Sequence, residues 1–168
     1  KHLNKYNVIS FDMQKFLVKT KSVEEMLGLL EQKLIRELKR EYQDFIYEDD
    51  DLMYNLESAF SETGVPFIFV IDEWDCVFRV FKNDFEGQKY YLDFLRDLLK
   101  EKEYVALDYA TGIFPVKKYG EHSALNMYHE FSINDSAPYS EYMGFTENET
   151  YLLCDKYNLS FDEMKEWY

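Results

Sequence analysis

Glycine is scarce in this chain: only 6 residues, none of them in the pattern G-x-x-x-x-G-K-[ST]. A backbone loop that cradles phosphates with its amides and a lysine is therefore absent from residues 1–168. Cysteine is scarcer still. Cys76 and Cys154 are the only two, too far apart for a CxxC or metal-ligand spacing, and they read as reduced thiols of a cytosolic protein. Basic residues are outnumbered, 19 Lys and Arg against 33 Asp and Glu, leaving a net charge of -14. That balance argues against a broad grip on a nucleic-acid backbone or an anionic membrane, and direct nucleic-acid binding is not expected. No apolar run reaches 18 residues and no signal-peptide pattern opens the chain.

What the sequence does have is bulk. Fifteen Tyr and 14 Phe among 168 residues are too much apolar surface for a disordered acidic tail, and the length suits one core-forming domain. The organising stretch is Phe67-Ile68-Phe69-Val70-Ile71-Asp72-Glu73-Trp74-Asp75, a strand buried on both faces that runs straight into acid. In an open parallel sheet, ligands bind beyond the carboxyl ends of the strands, which is where Asp72 and Glu73 fall. In nucleoside triphosphatases the first acid of such a pair holds Mg2+ through water, and the second polarises the attacking water. Taken alone, the run reads equally as a buried strand followed by an acidic turn.

Around it, Tyr6–Asp12 reads as a first strand. Ser22 and Glu25 form a capping box for a helix of about five turns with Met26, Leu27, Leu30, Leu34 and Leu38 as its buried stripe. Glu25 is placed to take the Ser22 amide. Lys33, Arg36, Glu37, Lys39 and Arg40 read as a solvated outer face. The acids of 48–51 read as helix initiation before Leu52, Leu56 and Phe60, closed by Gly64. Residues 76–84 are less regular, and 88–100 resumes helical spacing through Tyr91, Leu92, Leu95, Leu98 and Leu99. Tyr104–Gly112 reads as the next strand, with Thr111 at its end placed to touch phosphate or its water, or else simply capping the strand before a glycine turn. The long loop 113–129 holds Lys117, Lys118 and His122, and its length favours a functional or interfacial role. A short strand is expected over 131–133, then two capped helices, Thr146 with Glu149 and Ser160 with Glu163. The element order argues for α/β with a parallel sheet and right-handed crossovers.

These segments together carry a resemblance: Ile71–Asp75, Tyr91–Lys100, Thr111-Gly112-Ile113, Lys117–Gly120, His122–Asn126, Gly144–Glu147 and Glu163–Tyr168. The chain resembles the bacterial AAA-ATPase-like family, a P-loop domain often joined to a region related to PD-(D/E)XK nucleases. The resemblance implies a three-layer parallel sheet of P-loop NTPase type, incomplete because the first strand and the Walker A loop precede residue 1. It implies an α/β core over 1–135 and the start of a helical subdomain over 136–168. It implies that Asp72 is the Mg2+ acid of the Walker B motif, Glu73 the catalytic glutamate and Thr111 a polar sensor. ATP and Mg2+ are then the cofactors of the intact protein, none being held by these residues alone, and the partner is another protein or an attached nuclease-like region. Arg79 and Lys117 are within reach of phosphate in this scheme but read more readily as surface or packing residues, and His122 as a partner in a structural hydrogen bond. The opening at Lys1 and the close inside a helix are those expected of a piece of a longer protein.

Two further readings stay open. One is a non-catalytic interaction domain that keeps the sheet without the phosphate loop, favoured by the many tyrosines and phenylalanines. The other is a metal-dependent nuclease using Asp72, Glu73 and Asp75, which the acidity of the chain disfavours.

Overall fold

The computed structural model describes residues 2–43, 47–48, 50–115, 126–132, 139, 142 and 144–167. The chain divides into two compact units, Lys1–Tyr128 and His129–Tyr168. The first unit is α/β. Its strands β1 (Asn7–Asp12), β2 (Phe67–Asp72) and β3 (Val105–Ala110) form a parallel sheet in the order β1-β2-β3. Between β1 and β2 lie α1 (Met13–Leu17), α2 (Val23–Glu41) and α3 (Leu52–Thr63). Between β2 and β3 lie α4 (Cys76–Val80) and α5 (Phe85–Leu99).

Each crossover advances one strand in the same direction. Right-handed connections of that kind put their helices on the same face of the sheet. The burial alternation agrees: Phe11, Phe67, Phe69 and Ile71 are buried in the core with α2 and α5, and the register aligns Phe11 with Ile71 and Ile9 with Phe69. The opposite face carries Val8 at 63%, Leu107 at 54% and Tyr109 at 50% exposure. β1 and β3 are the sheet edges among the described residues. Pairing of β2 with β3 slips by one residue, so that Phe67 faces Val105 and Ile68 faces Leu107, with Ala106 the extra residue.

The helices form as their patterns predict. α2 buries Met26, Leu27, Leu30, Leu34 and Leu38, and α5 buries Tyr91, Leu92, Leu95, Leu98 and Leu99. Ser22 caps α2 by accepting from Glu25 N–H at 3.2 Å. The reciprocal half differs from expectation: the Glu25 carboxylate takes the Lys21 amide at 2.9 Å rather than that of Ser22. In the acidic run, Asp51 caps α3 through Tyr54 N–H at 2.8 Å, and Gly64 closes that helix at φ +65°. Asn55, fully buried, holds the approach to α3 by bonding both the N–H and the C=O of Glu48, at 2.9 and 2.7 Å. Of the irregular stretch after β2, residues Cys76–Val80 form the short α4; α1 is a further short helix that the apolar pattern does not announce.

The second unit holds α6 (Glu147–Tyr157), opened by a complete Thr146/Glu149 capping box, and α7 (Phe161–Trp167), where Ser160 accepts from Glu163 N–H at 3.2 Å. Of the strand expected over 131–133, Ser132 forms an isolated bridge and Ile133 lies outside the described residues. Among the described residues, no helix is long and apolar enough to cross a membrane.

Candidate functional site

The turn after β2 and the turn after β3 are joined at the carboxyl end of the sheet. Thr111 N–H donates to Ile71 C=O at 2.8 Å, and Trp74 N–H donates to Thr111 C=O at 3.1 Å. This backbone exchange brings the Thr111 hydroxyl onto Asp72, to whose Oδ1 it donates a hydrogen bond. The same oxygen accepts Glu73 N–H at 3.0 Å. Asp72 is exposed and Thr111 half-buried, so the two present hydrogen-bonded oxygens toward solvent from adjacent strands.

Glu73 turns the chain away from the sheet in a left-handed conformation, φ +56°, uncommon for a residue with a Cβ and worth about 1 kcal/mol or more of strain. Its carboxylate is ion-paired with Arg79 Nη2. Arg79 also sets its Nε 3.1 Å from Asp75 Oδ2, a close charge contact without the alignment of a hydrogen bond. Burial acts to lower the Arg79 pKa, but Asp75 and Glu73 more than offset this and hold it above its ordinary value. Arg79 is therefore an ion-pair partner of the acidic turn, not the plain surface or packing residue that its surroundings in the sequence suggest. The i, i+4 spacing of Asp75 and Arg79 was the available signal.

Asp75 faces the other way. It is fully buried, and its Oδ2 accepts Phe114 N–H at 3.0 Å. Its Oδ1 has no hydrogen-bond partner among the described residues and abuts Gly112, where an added Cβ would lie 2.6 Å from that oxygen. Trp74 is buried beside it, its carbonyl held by the Tyr91 hydroxyl at 2.6 Å. The neighbouring Cys76 thiol is pushed up to about 12, mainly by burial, so it stays protonated and inert as a nucleophile at neutral pH.

Asp72, Glu73 and Asp75 thus do not converge on one point. Among the described residues no group of three or more His, Cys, Asp or Glu side chains is placed to hold a metal ion. Asp72 and Thr111 offer two hard oxygens, a set suited to an ion that keeps most of its water and takes its other ligands from a bound phosphate. Lys117 and His122 lie outside the described residues.

Compared with protein-family models, with curated proteins and with solved structures, the chain finds no match.

Proposed function

We propose that this chain carries the metal-and-water half of an ATP-hydrolysing site of P-loop NTPase type, whose phosphate loop comes from outside residues 1–168. The observation that carries the reading is the hydrogen bond of Thr111 to Asp72, which links two adjacent parallel strand ends where such folds bind nucleotide. Asp72 is the Mg2+ acid, with Thr111 orienting its carboxylate. Mg2+ when bound neutralises phosphate charge during transfer. Glu73 is the base for the attacking water. In the arrangement described, Arg79 holds its carboxylate, so Glu73 acts as a base only once the guanidinium is drawn away. Hydrolysis in the intact protein would drive a protein partner or an attached nuclease-like region. The bare sheet face then takes the third layer, and the strand that bears the phosphate loop pairs on the free edge of β3.

The test is Mg-ATP binding by calorimetry on this chain and on a form extended upstream through a glycine-rich loop. The extended form is expected to bind. Its Glu73→Gln variant should bind equally and lose turnover by roughly two to four orders of magnitude. Unchanged turnover in that variant removes Glu73 as the base; no binding by the extended form removes the ATPase reading.

A second reading, a non-catalytic interaction domain, is favoured by exposed Val8, Leu107 and Tyr109 on one sheet face beside an open strand edge. A native protein without any phosphate loop would decide for it.

A further inference from the structure

A cleft of about 370 Å³ opens at the carboxyl end of β1, between α1 and α2. Its floor is apolar, made by Phe11, Phe16 and Leu29. Its rim is mostly cationic: Lys15 and Lys19 come from α1 and the turn after it and Lys33 and Arg36 from successive turns of α2, while Asp12 contributes one carboxylate and Ser10 and Gln32 are neutral. Four of the chain's 19 basic residues therefore surround one opening in a protein of net charge -14.

Lys15 is paired with Asp12 at 3.4 Å, and Asp12 is further tied to Gln14 N–H at 2.9 Å. The other three have no carboxylate partner among the described residues, although acids outnumber bases nearly two to one. The Lys33 ammonium sits instead over the Phe16 ring, 5.3 Å from its centroid. Clustered like charges repel at a cost that an acidic chain can relieve by supplying Asp or Glu between them. Here Lys19, Lys33 and Arg36 line one opening with no carboxylate partner among the described residues, an arrangement complementary to a ligand with several negative charges.

We propose that this cleft binds a small phosphate-bearing anion through Lys19, Lys33 and Arg36, as a site separate from Asp72. The volume lies within the range of small-molecule pockets and admits a polyphosphate chain or a nucleotide. An extended nucleic acid is the wrong ligand, because the acidic surface beyond the cleft repels its backbone. The inference does not rest on the ATPase reading: none of its three ligand cations belongs to the Asp72 site.

Sodium tripolyphosphate is the probe, titrated into this chain by calorimetry with ATP and adenosine in parallel. Saturable tripolyphosphate binding is expected, weaker as salt is raised. The double variant Lys33→Glu/Arg36→Glu, on exposed helix positions, should weaken it at least about tenfold. Lys19→Glu, outside any helix, should weaken it in the same direction, and Asp72→Asn should leave it unchanged. Equal affinity for tripolyphosphate and ATP means the phosphate chain alone is read; much tighter ATP binding means a nucleotide is the natural occupant. Absence of saturable binding, indifference to the cleft variants, adenosine binding as well as ATP, or loss of binding in Asp72→Asn would each overturn the proposal.

Discussion

Asp72 and Asp75 are three residues apart in one turn and live in opposite environments. Asp72 is exposed, its carboxylate meeting the Thr111 hydroxyl and a backbone N–H. Asp75 is fully buried, held by Phe114 N–H and an arginine, and pressed against Gly112. The outer half of the turn presents oxygens to solvent; the inner half anchors the turn to the core. One acidic run therefore has one carboxylate at the solvent and another packed into the core, and residue type alone does not separate the two environments.

The sharpest way to break that comparison is to remove each carboxylate in turn. Asp75→Ala removes the acceptor of the half-buried Phe114 N–H and deprives Arg79 of one partner, and should cost about 3 kcal/mol of unfolding free energy. Asp72→Ala, at the solvent, should cost under about 1 kcal/mol. Urea unfolding of the two variants measures both, and equal losses would erase the division. Next comes the contact behind Asp75. Gly112→Ala places a methyl group 2.6 Å from Asp75 Oδ1 and 2.7 Å from Trp74 Cδ1, and should destabilise by about 2 kcal/mol. An unchanged urea midpoint would mean that the turn gives way freely.

The smallest effect concerns a third acid, Asp108 on the covered face of β3, which unlike Asp75 has no ion-pair partner among the described residues. Burial raises its pKa above the ordinary 3.8, with a hydrogen bond from the Tyr128 hydroxyl acting in the opposite sense. The folded state then holds this proton more tightly than the unfolded state. Its contribution is most favourable below pH 3.8 and is lost as pH rises through the higher folded value. Asp108→Asn keeps an acceptor for Tyr128 and removes that loss. The variant's melting temperature at neutral pH should be a few degrees higher or less, with the gap to the parent closing in acid. A gap that does not depend on pH would sink the assignment.

Local physics was legible without coordinates. The apolar run 67–71 forms a strand, as its short length and β-branched and aromatic residues suggest, but it buries Phe67, Phe69 and Ile71 on one face and leaves Ile68 and Val70 half-buried on the other, where burial on both faces was expected. α2 and α5 follow from stripes spaced by three and four, and Ser22, Asp51, Gly64 and Thr146 bound their helices by bonds that reach no farther than four residues. The candidacy of Asp72, Glu73 and Thr111 was also legible, since each stands at or just past the end of a predicted strand. Lys33 and Arg36 were legible only as a charged helix face, because the other two lysines arrive on α1, a helix too short to show a stripe, and on the turn after it.

Tertiary structure decided what those residues touch. Thr111 meets Asp72, and Phe114 meets Asp75, across 39 residues of chain, contacts set by how β3 docks beside β2 and not by any local period. The same docking chose which acid of the turn faces water. Glu73 lies on Arg79 because the chain leaves β2 through a left-handed residue into α4, a reversal that no periodicity encodes. Sequence determined the elements and their ends, through interactions within a few residues. The partners of the acids, and with them the division between anchor and site, came from packing between elements distant in the chain.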